Sequence, residues 1–267
     1  MKQYISKKNR ALLSELVRTD FKLRYQGSVL GYAWSLLRPL LMFVILYVVF
    51  TKFLKIGSDI QHYPVYLLLG IVLWNFFNEM TAQSLTSIVA RGDLIRKIRI
   101  PRWIIVFSSS ISALINLGLN LVVIAAFIAI NGIDLTVSLA WLPLILLEIY
   151  IFGLGLSLFL AAAYVRYRDV SYIWEVILQA GFYLTPILYP LTIIHNVTFQ
   201  KVLLLNPMAQ AIQDARFSVV NQGQSITTHQ VFEGGPYTYI PYVIVLIALV
   251  VGVWYFKKRA AYFAEDI

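Results

Sequence analysis

The sequence has no cysteine, few charged residues and only three histidines. Without cysteine there is no disulfide, no thiolate nucleophile and no Cys-ligated metal. The histidines, His62, His195 and His229, are scattered without metal-ligand spacing. The sequence also lacks a Ser–His–Asp set, a His-Glu-x-x-His motif and a phosphate-binding Gly-x-x-x-x-Gly-Lys-Ser/Thr loop. We therefore predict no catalytic residue, no metal site and no cofactor in this chain, and no ATP hydrolysis by the chain itself.

Charged residues make up 13% of the chain and apolar residues 60%. In soluble domains about 25% of the residues are charged and about 45–50% are apolar. The mean hydropathy is +0.74. This composition excludes a soluble globular enzyme, a disordered chain and a fibrous protein. The apolar runs are continuous rather than alternating, which excludes a membrane β-barrel. The predicted fold class is an all-α polytopic membrane protein.

Six apolar segments are long enough to cross a bilayer, which takes about 20 residues. They cover residues 34–54, 63–89, 103–130, 139–164, 171–190 and 240–256. All but four of the 22 Lys and Arg residues lie in segments 2–38, 91–102, 166–168 and 257–259. The positive-inside rule places these four segments, and hence both termini, in the cytoplasm. The net charge of +9 then reflects topology, and nucleic-acid binding is not expected.

Residues 9–25 precede the first span and are too charged to cross a membrane. At 100° per residue their apolar side chains occupy one half of a helical wheel. The main members of this half are Leu12, Leu13, Leu16, Val17 and Phe21. Asp20 and Arg24 interrupt it, but their i,i+4 spacing allows them to pair. Such an amphipathic helix either lies in the headgroup plane or packs on a partner.

The basic loop 91–102 carries a short apolar face formed by Leu94, Ile95 and Ile98. This face would be exposed among charges unless a partner covered it. Two interpretations stay open: a basic loop resting on anionic lipid, or a docking helix for a cytoplasmic protein.

Three carboxylates, Glu79, Glu148 and Glu175, lie well inside predicted spans, where ionisable groups are candidates for function. Polar residues also form stripes at helical spacing in three spans. The stripes are Asn75, Asn78, Glu79, Ala82 and Thr86; Ser109, Ser112, Asn116 and Asn120; and Glu175 with Gln179. Such stripes either hold helices together or line a wet path.

Aromatic side chains inside the spans have two interpretations as well. They can pack or face lipid, or they can stack on sugar rings. The candidates for a substrate path are Trp74, Phe77, Tyr150, Trp174, Phe182 and Tyr183, together with Asn78, Glu79 and Glu175.

The outer end of the fifth span reads Thr185-Pro-Ile-Leu-Tyr-Pro190. Prolines four residues apart prevent a regular helix, and broken backbone at membrane depth must be buried in protein or line a cavity. The 191–239 region that follows contains Asn206-Pro-Met-Ala-Gln210 and a helical segment. We predict a re-entrant or gate-like element here.

Together these segments resemble the membrane subunit of polysaccharide-exporting ABC transporters, of the type-2 ABC permease superfamily (O-antigen, teichoic acid or capsule exporter type). The resemblance covers nearly the whole chain. It is carried by segments 20–39 (DFKLRYQGSVLGYAWSLLRP), 94–101 (LIRKIRIP), 165–169 (VRYRD), 185–190 (TPILYP) and 205–208 (LNPM).

The resemblance implies one permease domain over residues 1–267, with several passes through the cytoplasmic (inner) membrane of a bacterium. Two copies would form the pore. Two copies of a separate ATPase, which would hold ATP and Mg, would bind beneath them. The substrate would be a glycan linked to a polyprenyl pyrophosphate, and the remaining partner would be membrane lipid.

The resemblance also implies roles for particular residues. The 9–25 helix would lie at the membrane surface and contact the ATPase. The main ATPase-coupling residues would be Gly92, Asp93, Leu94, Ile95, Arg96, Lys97, Ile98 and Arg99, with Arg166, Arg168 and Asp169 as a smaller contact. The outer gate would include Pro186, Tyr189, Pro190, Asn206, Pro207 and Met208. From charge alone, Arg24, Arg38 and Arg102 are candidates to contact the pyrophosphate.

Two alternatives use the same sequence features. The chain could be an ABC permease for another lipid or a drug, because fold does not fix substrate. It could also be an ATPase-independent carrier that uses Glu79, Glu148 or Glu175.

Overall fold

The structure is a computed structural model that describes residues 7–56, 60–97, 100–134, 136–220 and 225–263. Within those ranges every regular element is helical, so the all-α prediction is confirmed. The α-helices are α1 (Lys7–Tyr25), α2 (Trp34–Val48), α3 (Tyr63–Ala90), α4 (Gly92–Lys97), α5 (Trp103–Ile130), α6 (Leu142–Arg166), α7 (Val170–Leu184), α8 (Val197–Leu204), α9 (Pro207–Val219), α10 (Thr228–Val231) and α11 (Ile240–Ala260).

Five helical segments of the described chain are long and apolar enough to cross a membrane. They are Gly31–Phe53, Tyr63–Ala90, Trp103–Ile130, Val137–Arg166 and Pro236–Ala260. The remaining predicted span, 171–190, contains α7, whose 15 residues extend about 22 Å at the usual helical rise. That is shorter than the hydrocarbon core of about 30 Å. The helix ends early because Thr185 precedes a proline and takes an extended conformation.

Helix α3 is at the centre of the bundle. It contacts α2, α5, α6, α7 and α9, and most of its side chains are buried. A helix that is apolar nearly all round is expected to be enclosed by its neighbours. Contacts with neighbouring helices, rather than with lipid, therefore fix the positions of the polar residues of α3.

The backbones of helices α6 and α11 approach each other closely. A Cβ atom built on Gly252 would lie 2.0 Å from the carbonyl oxygen of Gly155. The other face of α6 meets α3, where Gly153 lies against Met80 and the Ser157 hydroxyl donates to the Met80 carbonyl at 3.3 Å. The small residues of α6 thus allow close packing on two sides, as expected when helices associate in lipid.

Substituting Gly252 with alanine is expected to destabilise the protein, because α6 and α11 must separate to admit a methyl group. Overpacking of this kind costs about 1–3 kcal/mol. The matched control is Gly118→Ala in α5, where an added Cβ meets nothing within 4 Å. This control is expected to be neutral or slightly stabilising. Thermal unfolding of the two purified variants checks the difference, and equal melting temperatures would contradict the close contact.

Helix α1 packs against α5. Its predicted apolar half is confirmed: Leu16 is buried and Leu12, Leu13, Val17 and Phe21 are half-buried. The opposite half, with Glu15, Arg18, Thr19 and Lys22, is exposed. The packed face of α1 therefore meets this chain's own α5.

The 191–220 region folds back into the bundle. Helix α9 contacts α3, α6 and α11, and its side chains are nearly all buried. Asn206 caps its N-terminus by accepting from the Met208 amide at 3.0 Å, and Pro207 occupies the first turn.

Candidate functional site

Two polar grooves meet on one side of the bundle. One, of 580 Å³, lies between α2, α3 and α5, and the other, of 650 Å³, lies between α2, α3 and α7. Arg38, Asn75, Asn78 and Ala82 line both grooves. The two grooves therefore form one continuous polar surface at the depth of the predicted spans.

The α3 stripe lines this surface. Asn75 and Asn78 are half-buried, and Ala82 and Thr86 are exposed. Facing them on α7, Glu175 and Gln179 line the second groove and are also exposed. The sequence left open whether these stripes hold helices together or line a path. In the structure both stripes face the same groove.

Two residues of the α5 stripe, Asn116 and Asn120, line the first groove. The Asn116 amide donates to Glu79 Oε1 at 2.5 Å, and Gln83 donates to the same oxygen at 2.9 Å. The Asn120 amide donates to the Ser35 carbonyl at 3.3 Å. These bonds join α5 to α3 and α2. Asn116 and Asn120 therefore both line the first groove and hold helices together. Glu79, which lines the same groove, is the shared acceptor of Asn116 and Gln83.

Four of the aromatic candidates line the second groove: Trp74, Trp174, Phe182 and Tyr183. Tyr183 is exposed and Trp174 is half-buried. The Trp174 indole N–H donates to the Thr81 hydroxyl at 3.1 Å, which fixes the orientation of the ring. The three α7 residues, Trp174, Phe182 and Tyr183, line the groove opposite the polar stripe of α3.

The structure does not bring Phe77 and Tyr150 to this surface. Phe77 stacks on Phe152 with ring centroids 5.4 Å apart. The Tyr150 hydroxyl bonds to the Ser110 hydroxyl at 3.1 Å. Both rings lie in contacts between helices: Phe77 of α3 meets α6, and Tyr150 of α6 meets α5.

The three arginines considered for pyrophosphate binding are in different settings. Arg38 is exposed and lines both grooves. Arg102 is half-buried and donates to the Ala260 carbonyl, which ties the start of α5 to the end of α11. The side chain of Arg24 is outside the described part of the structure. Of the two whose side chains are described, Arg38 has the free access that an anion requires.

At the basic end of the bundle, the predicted short helix in loop 91–102 is present as α4. Leu94 and Ile95 are half-buried, and Ile95 packs against the apolar core. Ile98 and Arg99 lie outside the described residues. In the second loop, Arg166, Arg168 and Asp169 are all exposed between α6 and α7.

A salt bridge connects α1 to the residue that precedes α4. Asp20 Oδ1 accepts from Arg91 Nη2. Arg91 Nη1 also donates to the Ser108 hydroxyl of α5 at 3.0 Å. The sequence suggested that Asp20 pairs with Arg24, one turn away. The structure shows a partner 71 positions along the chain, and the Arg24 side chain lies outside the described residues.

At the opposite end, a buried arginine holds the broken segment that follows α7. Arg216 of α9 has no exposed surface. It donates to the carbonyls of Pro186 at 2.5 Å, Ile187 at 2.6 Å and Tyr66 at 3.0 Å. Its guanidinium carbon lies 3.5 Å from the centre of the Tyr66 ring. This one side chain joins α3, α9 and residues 186–187.

In the sequence Arg216 is one of the four basic residues away from the predicted cytoplasmic segments. Its buried position was not predicted. A local signal was present, because Ile212, Arg216 and Val219 share one helical stripe and the other two are apolar. A cation on the buried stripe of a helix requires several acceptors.

One of the predicted gate residues, Pro186, binds this arginine directly. Pro186, Pro190 and Met208 are buried. The Asn206 amide lies 3.5 Å from the Thr185 hydroxyl. The Tyr189 hydroxyl donates to the Leu184 carbonyl at 3.3 Å. The segment after α7 and the start of α9 therefore form one packed unit.

A bundle of membrane-length helices with a polar and aromatic groove at span depth is the architecture of a membrane transport protein. The family model of the ABC-2 type transporter matches residues 11–219. The chain therefore belongs to the ABC-2 type transporter family and is a multi-pass transport subunit of the bacterial inner membrane.

Curated relatives agree with this assignment. Two proteins of Klebsiella pneumoniae named O-antigen export system permease protein RfbA are 30% and 29% identical over 255 residues, covering 95% of this chain and 94% of each relative. A protein of the same name from Myxococcus xanthus is 32% identical over 200 residues, covering 74% of this chain and 76% of the relative.

Proposed function

We propose that this chain is the pore-forming subunit of an ATP-driven exporter for a polysaccharide linked to polyprenyl pyrophosphate. The groove shared by α2, α3 and α7 is the observation that carries the proposal. It combines amides and a carboxylate for sugar hydroxyls with exposed aromatic faces for sugar rings. The similarity to O-antigen export permeases supports a glycan rather than a small ion as cargo.

The groove of a single chain is open on one side. Its flanks carry exposed apolar side chains, including Leu41 and Ile45 on α2 and Tyr172 and Val176 on α7. A second copy that packs on these flanks would close the groove into a pore. This arrangement supports a homodimer.

The energy for transport would come from a separate ATPase, which would bind ATP and Mg. Its docking site on this chain would be α4, with Arg166, Arg168 and Asp169 as the smaller contact. Movement of α4 would reach the groove through the helices on either side of it, α3 and α5. Arg38 would meet the pyrophosphate, because it is the exposed cation of the groove, and the unit around Arg216 would close the outer exit.

Cysteine accessibility tests the groove directly, since the chain has no native thiol. Asn78→Cys and Gln179→Cys are expected to react with a membrane-impermeant, hydrophilic thiol reagent in the assembled transporter, because thiolates form in water. The same reaction is expected to block glycan export. The control is Val122→Cys on α5, a side chain that is 69% exposed and outside both grooves.

Equal protection of all three cysteines would contradict a water-filled groove at this position. Reaction of the groove cysteines with no effect on export would contradict its use by the glycan.

A further inference from the structure

A third cavity lies at the end of the bundle remote from α4. It measures 930 Å³ and is bounded by α6, α9 and α11. Its rim carries exposed apolar side chains, among them Trp141, Leu144, Leu147 and Leu246. The cavity opens toward lipid, because its rim is apolar and lies on a bundle of membrane-length helices. Its volume suits a headgroup and part of an acyl chain.

The wall of this cavity bears two acids. A single amide, Gln210 Nε2, lies 2.6 Å from Asp214 Oδ2 and 3.5 Å from Glu148 Oε2. The Tyr242 hydroxyl is 3.4 Å from the same Asp214 oxygen. Burial raises the pKa of the Asp214 carboxyl, while the hydrogen bonds from Gln210 and Tyr242 oppose that rise. A cation next to this pair would favour its ionised form.

Two polar atoms of the lining lack a hydrogen-bond partner within the described structure. They are Glu148 Oε1 and the hydroxyl of Thr238, a residue that is only 5% exposed. Buried polar atoms without partners are uncommon in folded proteins, and a bound water, ion or ligand is among the explanations for each one. Among the described residues, a carboxylate oxygen and a hydroxyl, both buried, thus lack a partner, and both belong to residues that line the same cavity.

The described lining contains no Lys or Arg. The site therefore attracts a cation with several N–H donors, on a molecule that also has an apolar tail. A primary ammonium offers three donors, and charge-assisted hydrogen bonds to carboxylates are among the strong ones. A choline headgroup has no N–H to donate, and a glycerol headgroup has no cation.

We propose that this cavity binds a phospholipid with a primary-amine headgroup, the ammonium at Glu148 and Asp214 and the phosphate near the Thr238 hydroxyl. The ligand is a membrane component and lies apart from the groove. The lipid fills the junction of α6, α9 and α11 and stabilises it.

Native mass spectrometry of the delipidated full-length protein tests this assignment with phosphatidylethanolamine, phosphatidylcholine and phosphatidylglycerol as probes. Phosphatidylethanolamine is expected to bind at least about tenfold more tightly than either other lipid, which corresponds to one charge-assisted hydrogen bond. The Glu148→Gln/Asp214→Asn variant is expected to lose this preference. The milder Thr238→Val variant is expected to weaken it, and serves where the double variant does not fold.

The matched control is Asp134→Asn, an exposed carboxylate outside the cavity, and it is expected to keep the preference. Equal retention of the three lipids would overturn the proposal, as would an unchanged preference in both cavity variants. Disulfide crosslinks between copies through Leu144→Cys or Leu246→Cys in native membranes would also overturn it, because they would show that a second chain covers the cavity. None of these results depends on glycan export.

Discussion

Replacing Arg216 with leucine is expected to destabilise the protein strongly. The substitution leaves the carbonyls of Pro186 and Ile187 without their guanidinium donor. These carbonyls lie in a buried, non-helical segment, where an unsatisfied group costs about 1–3 kcal/mol. We therefore expect a loss of about 2–6 kcal/mol, the sum over the two carbonyls. The effect is measured by thermal unfolding of the purified protein. The monodispersity of the protein is then measured as a second readout.

Three further variants separate the role of the guanidinium from that of its charge. Arg216→Lys keeps the charge but loses the planar fork, so an intermediate stability is expected. Gly70→Ala leaves Arg216 in place but puts a Cβ atom 2.5 Å from its Nη2, so it should also destabilise. Lys201→Leu removes an exposed cation and is expected to have little effect. Wild-type stability in both Arg216→Leu and Gly70→Ala would contradict the proposed function of the guanidinium as a clamp.

Reversing the charge of Asp20 is expected to uncouple ATP hydrolysis from export. In Asp20→Arg, two guanidinium groups would face each other in a partly buried site beside Ser108. Removing one partner of a buried ion pair lowers stability by up to about 3–5 kcal/mol. A smaller loss is expected here, because this pair is only partly enclosed. We expect export to fall roughly tenfold or more, which corresponds to about 1.4 kcal/mol.

The ratio of glycan exported to ATP hydrolysed in the reconstituted complex is the measurement. The charge-swapped double variant Asp20→Arg/Arg91→Asp is expected to recover much of the ratio, because it restores opposite charges. Glu15→Arg makes the same change on the exposed face of α1 and should behave as wild type. A normal ratio in Asp20→Arg would show that the link from α1 to α4 has no part in coupling.

Features set by local periodicity could be predicted from the sequence, and features set by distant partners could not. The amphipathic α1, the short α4 and the end of α7 before Pro186 follow from spacing and from proline chemistry. The stripe on α5 has the same spacing as the stripe on α3, but its Asn116 and Asn120 line only the first groove and also form hydrogen bonds to α3 and α2. Which stripe faces a groove depends on how the helices rotate against one another, and a single helical pattern does not contain that information.

The partners of charged residues were the hardest part to predict. The ion pair described for Asp20 is with Arg91, 71 positions along the chain. Arg216 lies between apolar neighbours on α9, and its acceptors come from α3 and from the segment after α7. Each of these contacts joins parts of the chain that only the complete fold brings together. The sequence therefore indicates the elements of the candidate site and leaves open how they are connected.

The contact between Gly155 and Gly252 also has a consequence for biosynthesis. The two glycines are separated by about a hundred residues, which a ribosome adds in roughly 5–20 seconds. During that interval α6 is already made, but the helix that will cover Gly155 is not. The backbone at Gly155 must then face lipid or the insertion machinery. A nascent chain halted before α11 would expose this stretch of α6 backbone to recognition by membrane quality control.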